Sequence, residues 1–141
     1  MFEAVAEHAV SADIIIKAAA VADYTPTDYA DQKIKKTGSD LNISLKRTTD
    51  ILKHLGTNKR KDQVICGFSM ETENLLENSR KKLVSKNIDM ICANSLKTRG
   101  AGFAGDTNVV TILTKGGIKQ LPLMSKLDTA DAILDEIMKR R

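Results

Sequence analysis

Val64-Ile65-Cys66-Gly67-Phe68, a helical stretch from Glu73 to about Lys86, and Asp89-Met90-Ile91-Cys92-Ala93 follow one another, and their reading decides the fold. Each short run is almost wholly apolar, the mark of a strand covered on both faces rather than one facing water. Between them Leu75, Leu76, Ser79 and Leu83 recur at helical spacing as an inner stripe, and Thr72 can cap the helix in front of them. Two buried strands joined by a helix form a parallel pair with a right-handed crossover. A local echo supports the unit: Ile65-Cys66-Gly67-Phe68-Ser69-Met70-Glu71-Thr72 is followed by Ile91-Cys92-Ala93-Asn94-Ser95-Leu96-Lys97-Thr98. Shared strand composition explains most of that likeness.

Working outward, a loop from Asn94 to Thr107 carries three glycines. Asn108 to Thr114 and Ile118 to Leu121 read as a hairpin closed by Lys115-Gly116-Gly117. Ser125 and Asp128 have the spacing of a capping box and start a final helix. Upstream, Phe2, Val5, Ala6 and Val10 predict a helix, and Asp13 to Ala20 (DIIIKAAA) predicts a strand covered on both faces. Val21 to Asp40 reads as a long loop and Asn42 to Lys46 as a short strand. Thr49 can cap a helix over Asp50 to Leu55, ended by Gly56. The expectation is an α/β Rossmann-like three-layer sandwich with a mainly parallel sheet, an antiparallel hairpin at its edge, and the amino-terminal part of the fold absent.

Composition narrows the class. The 141 residues make about one domain, and 22 Lys+Arg against 18 Asp+Glu leave +4. That charge is too diffuse, and three Phe, two Tyr and no Trp too few, to argue for a nucleic-acid binder. No apolar run is long enough for a membrane span, and no signal segment is visible. Cys66 and Cys92 sit in apolar runs without a CxxC, as buried small hydrophobes of a reducing, cytoplasmic protein do. With His8 and His54 the only histidines, a His-rich zinc site or a Ser-His-Asp triad has little to work with.

Three features can carry chemistry. Ala18-Ala19-Ala20 lets a ligand or another backbone approach closely, and Asp23 follows the strand's carboxyl end, where open α/β sheets bind ligands. An ordinary packed strand with a solvated Asp fits the same residues. Lys33-Ile34-Lys35-Lys36 can close over a polyphosphate, although a solvated charge run is the commoner explanation. Phe68 and Asn94 end buried strands, where an aromatic can meet a base and an amide can orient a substrate, although each such residue is more often structural. The chain starts in a helix, without a strand and Gly-rich phosphate turn in front.

In order, AAAVADYTP, KIKK, TTDIL, GFSMET and DMICAN resemble the synthetase half of bacterial phosphopantothenoylcysteine synthetase/decarboxylase, over nearly the whole chain. Relatives show AAVADY or AAVADW, KIKK, PDIL or PDIV, GFAAET and AN at these places. Thr49 departs from the usual Pro, and Ser69-Met70 from Ala-Ala. The resemblance implies a ligase that joins 4′-phosphopantothenate to cysteine with CTP and Mg²⁺, in coenzyme A synthesis. By position it implies that the backbone near Lys17 and the Asp23 carboxylate contact CTP. Lys33, on a flap at about 21–41, reaches the reacting phosphate. Thr49, Asp50, Ile51 and Leu52 hold the nucleotide with backbone donors, Phe68 lines the base pocket, and Lys82 and Lys86 add positive charge. The protein ligands of Mg²⁺ are not assigned.

The simple distance along the helix puts Lys82 roughly 13 Å from the helix start, and surface lysines are the alternative reading of this pair. The Gly-rich turn and Arg/Asn stretch that open the family lie before the part that matches. The flavin-dependent decarboxylase half is also outside the match, so no FMN site is expected. The whole chain, 1–141, reads as a single partial CTP-binding synthetase domain, and the expected partners are a second copy in a homodimer and a decarboxylase, fused or separate. A non-catalytic nucleotide-binding and dimerisation fragment is the alternative, and a plain oligomerisation domain a third.

Overall fold

The structure is a computed structural model that describes residues 1–35, 38, 40–71, 73–95 and 105–140. In chain order the elements are α1 (Phe2–Ala9), β1 (Ile14–Lys17), β2 (Tyr24–Pro26), β3 (Leu45–Arg47), α2 (Ile51–Thr57), β4 (Val64–Glu71), α3 (Leu75–Ser85), β5 (Met90–Ser95), β6 (Thr107–Asn108), β7 (Val110–Thr114), β8 (Gly117–Gln120), β9 (Met124–Ser125) and α4 (Lys126–Met138). They fall into two compact units, 19–50 and the rest of the chain.

The larger unit is built on a five-stranded sheet of order β1-β4-β5-β7-β8. β1 pairs with β4 and β4 with β5 in parallel; β7 and β8 follow antiparallel. The mainly parallel sheet with a hairpin at its edge is therefore as the sequence implies. The continuous register from Cys66↔Met90 to Glu71↔Ser95 sends alternate side chains to opposite faces. Val64, Cys66, Met90, Cys92, Val110 and Ile112 pack on Ile133 and Ile137 of α4. The other face is covered by α2 and α3. There Gly67 is required for close approach: a Cβ would lie 2.6 Å from Leu52 Cδ2 and 3.3 Å from Ile88 Cδ1. Helices on both faces complete the three layers.

Polar bonds pin the amino ends of the strands. Asp89 accepts from the Ile65 backbone N–H at 2.8 Å and pairs with Lys59. Buried Gln63 donates to the carbonyls of Ala9 at 2.8 Å and Ala12 at 2.6 Å, fixing the exit of α1. Ser125 Oγ accepts from the Asp128 backbone N–H at 3.1 Å, the cap that its spacing implies.

Several local readings need correction. β1 spans only Ile14–Lys17, and Ile16 is exposed, because β1 lies at the edge of the described sheet. β4 runs on past Phe68 to Glu71, since polar Ser69 finds partners on α3. α3 starts at Leu75, after Asn74 in the left-handed conformation, and Thr72 lies outside the described residues. Leu76 is exposed, leaving Ser79 and Leu83 as the buried stripe. Gly56 lies inside α2 rather than beyond its end. The hairpin loop is Lys115-Gly116, with Thr114 opposite Gly117, and the short pair β6–β9 was not evident from the sequence.

The smaller unit is organised by β2 and β3, antiparallel with Tyr24↔Arg47, Thr25↔Lys46 and Pro26↔Leu45. Thr48 closes this ladder: its N–H donates to the Asp23 carbonyl at 2.9 Å and its hydroxyl to the Ala22 carbonyl at 2.6 Å. The stretch read as one long loop thus contains a strand.

Candidate functional site at the carboxyl edge of the sheet

Open parallel sheets bind ligands beyond the carboxyl ends of their strands. In the larger unit that edge is formed by Lys17 at the end of β1, Phe68 to Glu71 of β4, and Asn94 of β5. Lys17 stands opposite Gly67, and Phe68 opposite Cys92. Phe68 and Asn94 share the face that carries Cys66 and Cys92, whereas Ser69 and Glu71 project to the α3 face. Phe68 is 38% exposed, unusual for an aromatic in a strand whose first four residues are buried. Among the described residues, Asn94 Oδ1 is buried without a hydrogen-bond partner.

Lys82 is at this edge despite its place about two turns into α3. Its Nζ donates to Glu71 Oε1 at 2.5 Å, so the long stem carries the ammonium back to the tip of β4. Glu71 also accepts from Ser69 Oγ and from Asn78 Nδ2, each at 3.3 Å. The Lys82 bond lowers the Glu71 carboxyl below its ordinary range, against the opposing effect of burial. The carboxylate is ionised at neutral pH. Sequence reasoning missed Glu71 altogether; the available signal was Asn78 and Lys82, four apart on one helix face, after a carboxylate at a strand end.

The other expected residues separate by unit. Ile51 and Leu52 begin α2 with buried side chains, so only their backbone can serve a ligand. Lys86 is the C-cap of α3, one turn beyond Lys82. Asp23, Lys33, Thr49 and Asp50 belong to the smaller unit, where all four are exposed. Lys36 of the basic run lies outside the described residues.

Contrary to the expectation that no GxGxxG or GxxxxGK(S/T) spacing occurs in the chain, the sequence carries one GxGxxG, Gly100-Ala101-Gly102-Phe103-Ala104-Gly105. Residues 96–104 lie outside the described ones, and β6 and β7 follow, not the helix that a phosphate-binding fingerprint opens. A cleft of about 660 Å³ lies at the opposite, amino edge, lined among others by Lys59, Asp62, Asp89, Lys115 and Arg140. Its Lys59–Asp89 pair is internal, and this edge is the wrong one for a ligand of an open parallel sheet. No group of three or more His, Cys, Asp or Glu side chains among the described residues is placed to hold a metal ion. No helix among them is long and apolar enough to cross a membrane.

Fold and edge define an open α/β domain with helices on both faces of a mainly parallel sheet. The chain belongs to the DNA/pantothenate metabolism flavoprotein C-terminal domain family, whose model matches residues 1–140. It is 51% identical over 138 residues to the coenzyme A biosynthesis bifunctional protein CoaBC of Bacillus subtilis (strain 168), covering 97% of this chain and 34% of that protein. It is 43% identical over 139 residues to a cysteine/cysteine sulfinic acid decarboxylase of an unknown prokaryotic organism, covering 98% of this chain and 39% of that protein. The crystal structure of the C-terminal domain of a coenzyme A biosynthesis bifunctional protein CoaBC superposes with a TM-score of 0.74 at 39% identity. That match covers 96% of this chain and 58% of the other. The chain thus spans roughly a third of the length of the curated relatives it matches.

Proposed function

We propose that the chain is the CTP-binding part of a phosphopantothenate–cysteine ligase. The observation that carries the reading is the fixed ammonium of Lys82 at the tip of β4, on the edge that also presents exposed Phe68. A cation and an aromatic at one strand edge suit the phosphate and base of a nucleotide. The family, the segments GFSMET and DMICAN at that edge, and the likeness to a coenzyme A biosynthesis protein support it further.

The chemistry follows from the substrates. A carboxylate is a poor electrophile, so its oxygen attacks the α-phosphorus of CTP; a new P–O bond forms and pyrophosphate leaves. The cysteine nitrogen then attacks the acyl carbon, the C–O bond to CMP breaks, and the amine loses a proton. From the resemblance, Lys33 serves the reacting phosphate from a flap at about 21–41. Asp23 and the backbone near Lys17 contact CTP, Thr49 to Leu52 offer backbone donors, Phe68 lines the base pocket, and Lys82 and Lys86 supply charge. Mg²⁺ enters as the counter-ion of the triphosphate, which binds it largely through phosphate oxygens and water.

The chain acts as a homodimer in this reading, through the apolar residues around exposed Tyr24 and Tyr29, with a decarboxylase, fused or separate, consuming the product. The second reading is a nucleotide-binding and dimerisation fragment without turnover. Incubation with CTP, Mg²⁺, 4′-phosphopantothenate and cysteine separates them. Pyrophosphate release with a ligated product of the right mass supports the ligase. Saturable CTP binding without turnover supports the fragment, and the absence of both binding and turnover refutes both readings.

A further inference from the structure

We propose that Glu71 is a positioning residue for the nucleotide phosphates, holding the Lys82 ammonium at the carboxyl edge of the sheet; the assignment rests on the CTP reading above. Lys82 lies on the helix about 10 Å from its first residue, and a free lysine there would spread its charge over many rotamers. Glu71 removes that freedom because it is itself fixed from two elements. Ser69 Oγ of β4 donates to Oε1 at 3.3 Å, Asn78 Nδ2 of α3 donates to Oε2 at 3.3 Å, and Lys82 Nζ donates to Oε1 at 2.5 Å.

The support continues inward. Ser79, fully buried, donates to Ser69 Oγ at 3.2 Å, and Asn78 also donates to the Glu73 carbonyl at 3.2 Å. The Glu71 side chain is 17% exposed and that of Lys82 42%, so the anchor is sheltered while the cation faces solvent. An ammonium has three N–H donors; Glu71 takes one, which leaves two for phosphate oxygens. An exposed lysine–carboxylate pair on a helix surface needs no such backing, and contributes little to stability. A carboxylate held by three donors costs no reorganisation when a polyanion arrives.

The test titrates the 141-residue chain with Mg²⁺–CTP and with CMP, for wild type, Glu71→Ala, Glu71→Gln, Lys82→Ala and the Glu71→Ala/Lys82→Ala double variant. Freezing one rotamer-rich side chain corresponds to about three- to tenfold in affinity, the loss expected for CTP in Glu71→Ala. CMP should change less than twofold, because it lacks the outer phosphates. Glu71→Gln, which keeps an acceptor oxygen, should recover most of the loss. Glu71→Ala should add nothing once Lys82 is gone. If Glu71→Ala does not fold, Asn78→Ala loosens the same carboxylate and should lower the CTP-to-CMP affinity ratio in the same direction.

Equal losses for CTP and CMP, or additive effects in the double variant, would reduce Glu71 to a structural residue and overturn the assignment. Tighter CTP binding in Glu71→Ala would show the carboxylate competing with phosphate for Lys82, and would overturn it too. Wild-type binding of CTP with every Glu71 variant unchanged overturns this assignment alone. No CTP binding by the wild type overturns the nucleotide reading, and this assignment with it.

Discussion

Gly56→Ala separates local propensity from packing. Gly56 lies in α2, and by helix propensity alone alanine there should stabilise the chain by up to about 1 kcal/mol. The surroundings oppose this. A Cβ at position 56 would lie 1.8 Å from the Lys86 carbonyl oxygen, 2.9 Å from the Lys86 carbonyl carbon and 3.1 Å from the Asn87 oxygen. All three are backbone atoms, so no side-chain rotation relieves the clash, and α2 must back away from the end of α3. That movement stretches the bond from Asn87 Nδ2 to the Gly56 carbonyl, 2.9 Å long. Overpacking costs about 1–3 kcal/mol and the weakened bond about 1 kcal/mol, so after the propensity gain the net loss is about 1–3 kcal/mol. At about 3 °C per kcal/mol for a chain of this length, Tm falls by about 3–9 °C. Thermal unfolding followed by far-UV circular dichroism, with Asn87→Ala alongside to isolate the hydrogen bond, measures it. An unchanged or raised Tm in Gly56→Ala would refute the close-approach argument.

Two further outcomes follow from charge and burial. Lys119 and then Lys139 hold the Glu136 carboxyl down to about 2, so its stabilising contribution is complete above about pH 5 and is lost as pH falls through about 2. Glu136→Gln should therefore flatten the dependence of the urea midpoint between pH 5 and 2, and an unaltered acid limb would contradict this. Cys66 and Cys92 are fully buried with sulfurs 3.7 Å apart; the Cys66 contact and burial push the Cys92 thiol up, away from the reactive thiolate. Labelling by an aromatic disulfide should thus be slow in the native chain and fast in urea, whereas prompt native labelling of both thiols would exclude this packing.

What could be read from the sequence followed from contrast in hydrophobic period. The apolar runs at Val64 and Met90 and the stripe of α3 can hardly form anything but a covered strand–helix–strand unit, and Ser125 announces α4 by its spacing to Asp128. β2 escaped because three residues are too few to show alternation and Pro26 argues against a strand, whereas the strand expected over Asn42 to Lys46 forms as β3, shifted to Leu45–Arg47. The extension of β4 to Glu71 escaped because Ser69 and Glu71 are polar and are stabilised by bonds to α3, which no local pattern encodes. For the same reason distance along the helix could not place Lys82. Its position comes from a partner eleven residues earlier on another element.

Differential stabilisation by nucleotides tests most directly for the CTP site. A ligand that binds only the native chain raises Tm in proportion to the logarithm of its concentration over Kd. With Mg²⁺ and equal, millimolar nucleoside triphosphates, CTP should raise Tm more than ATP, GTP or UTP. Equal shifts with all four would leave only generic polyphosphate binding, and no shift with CTP would contradict the account.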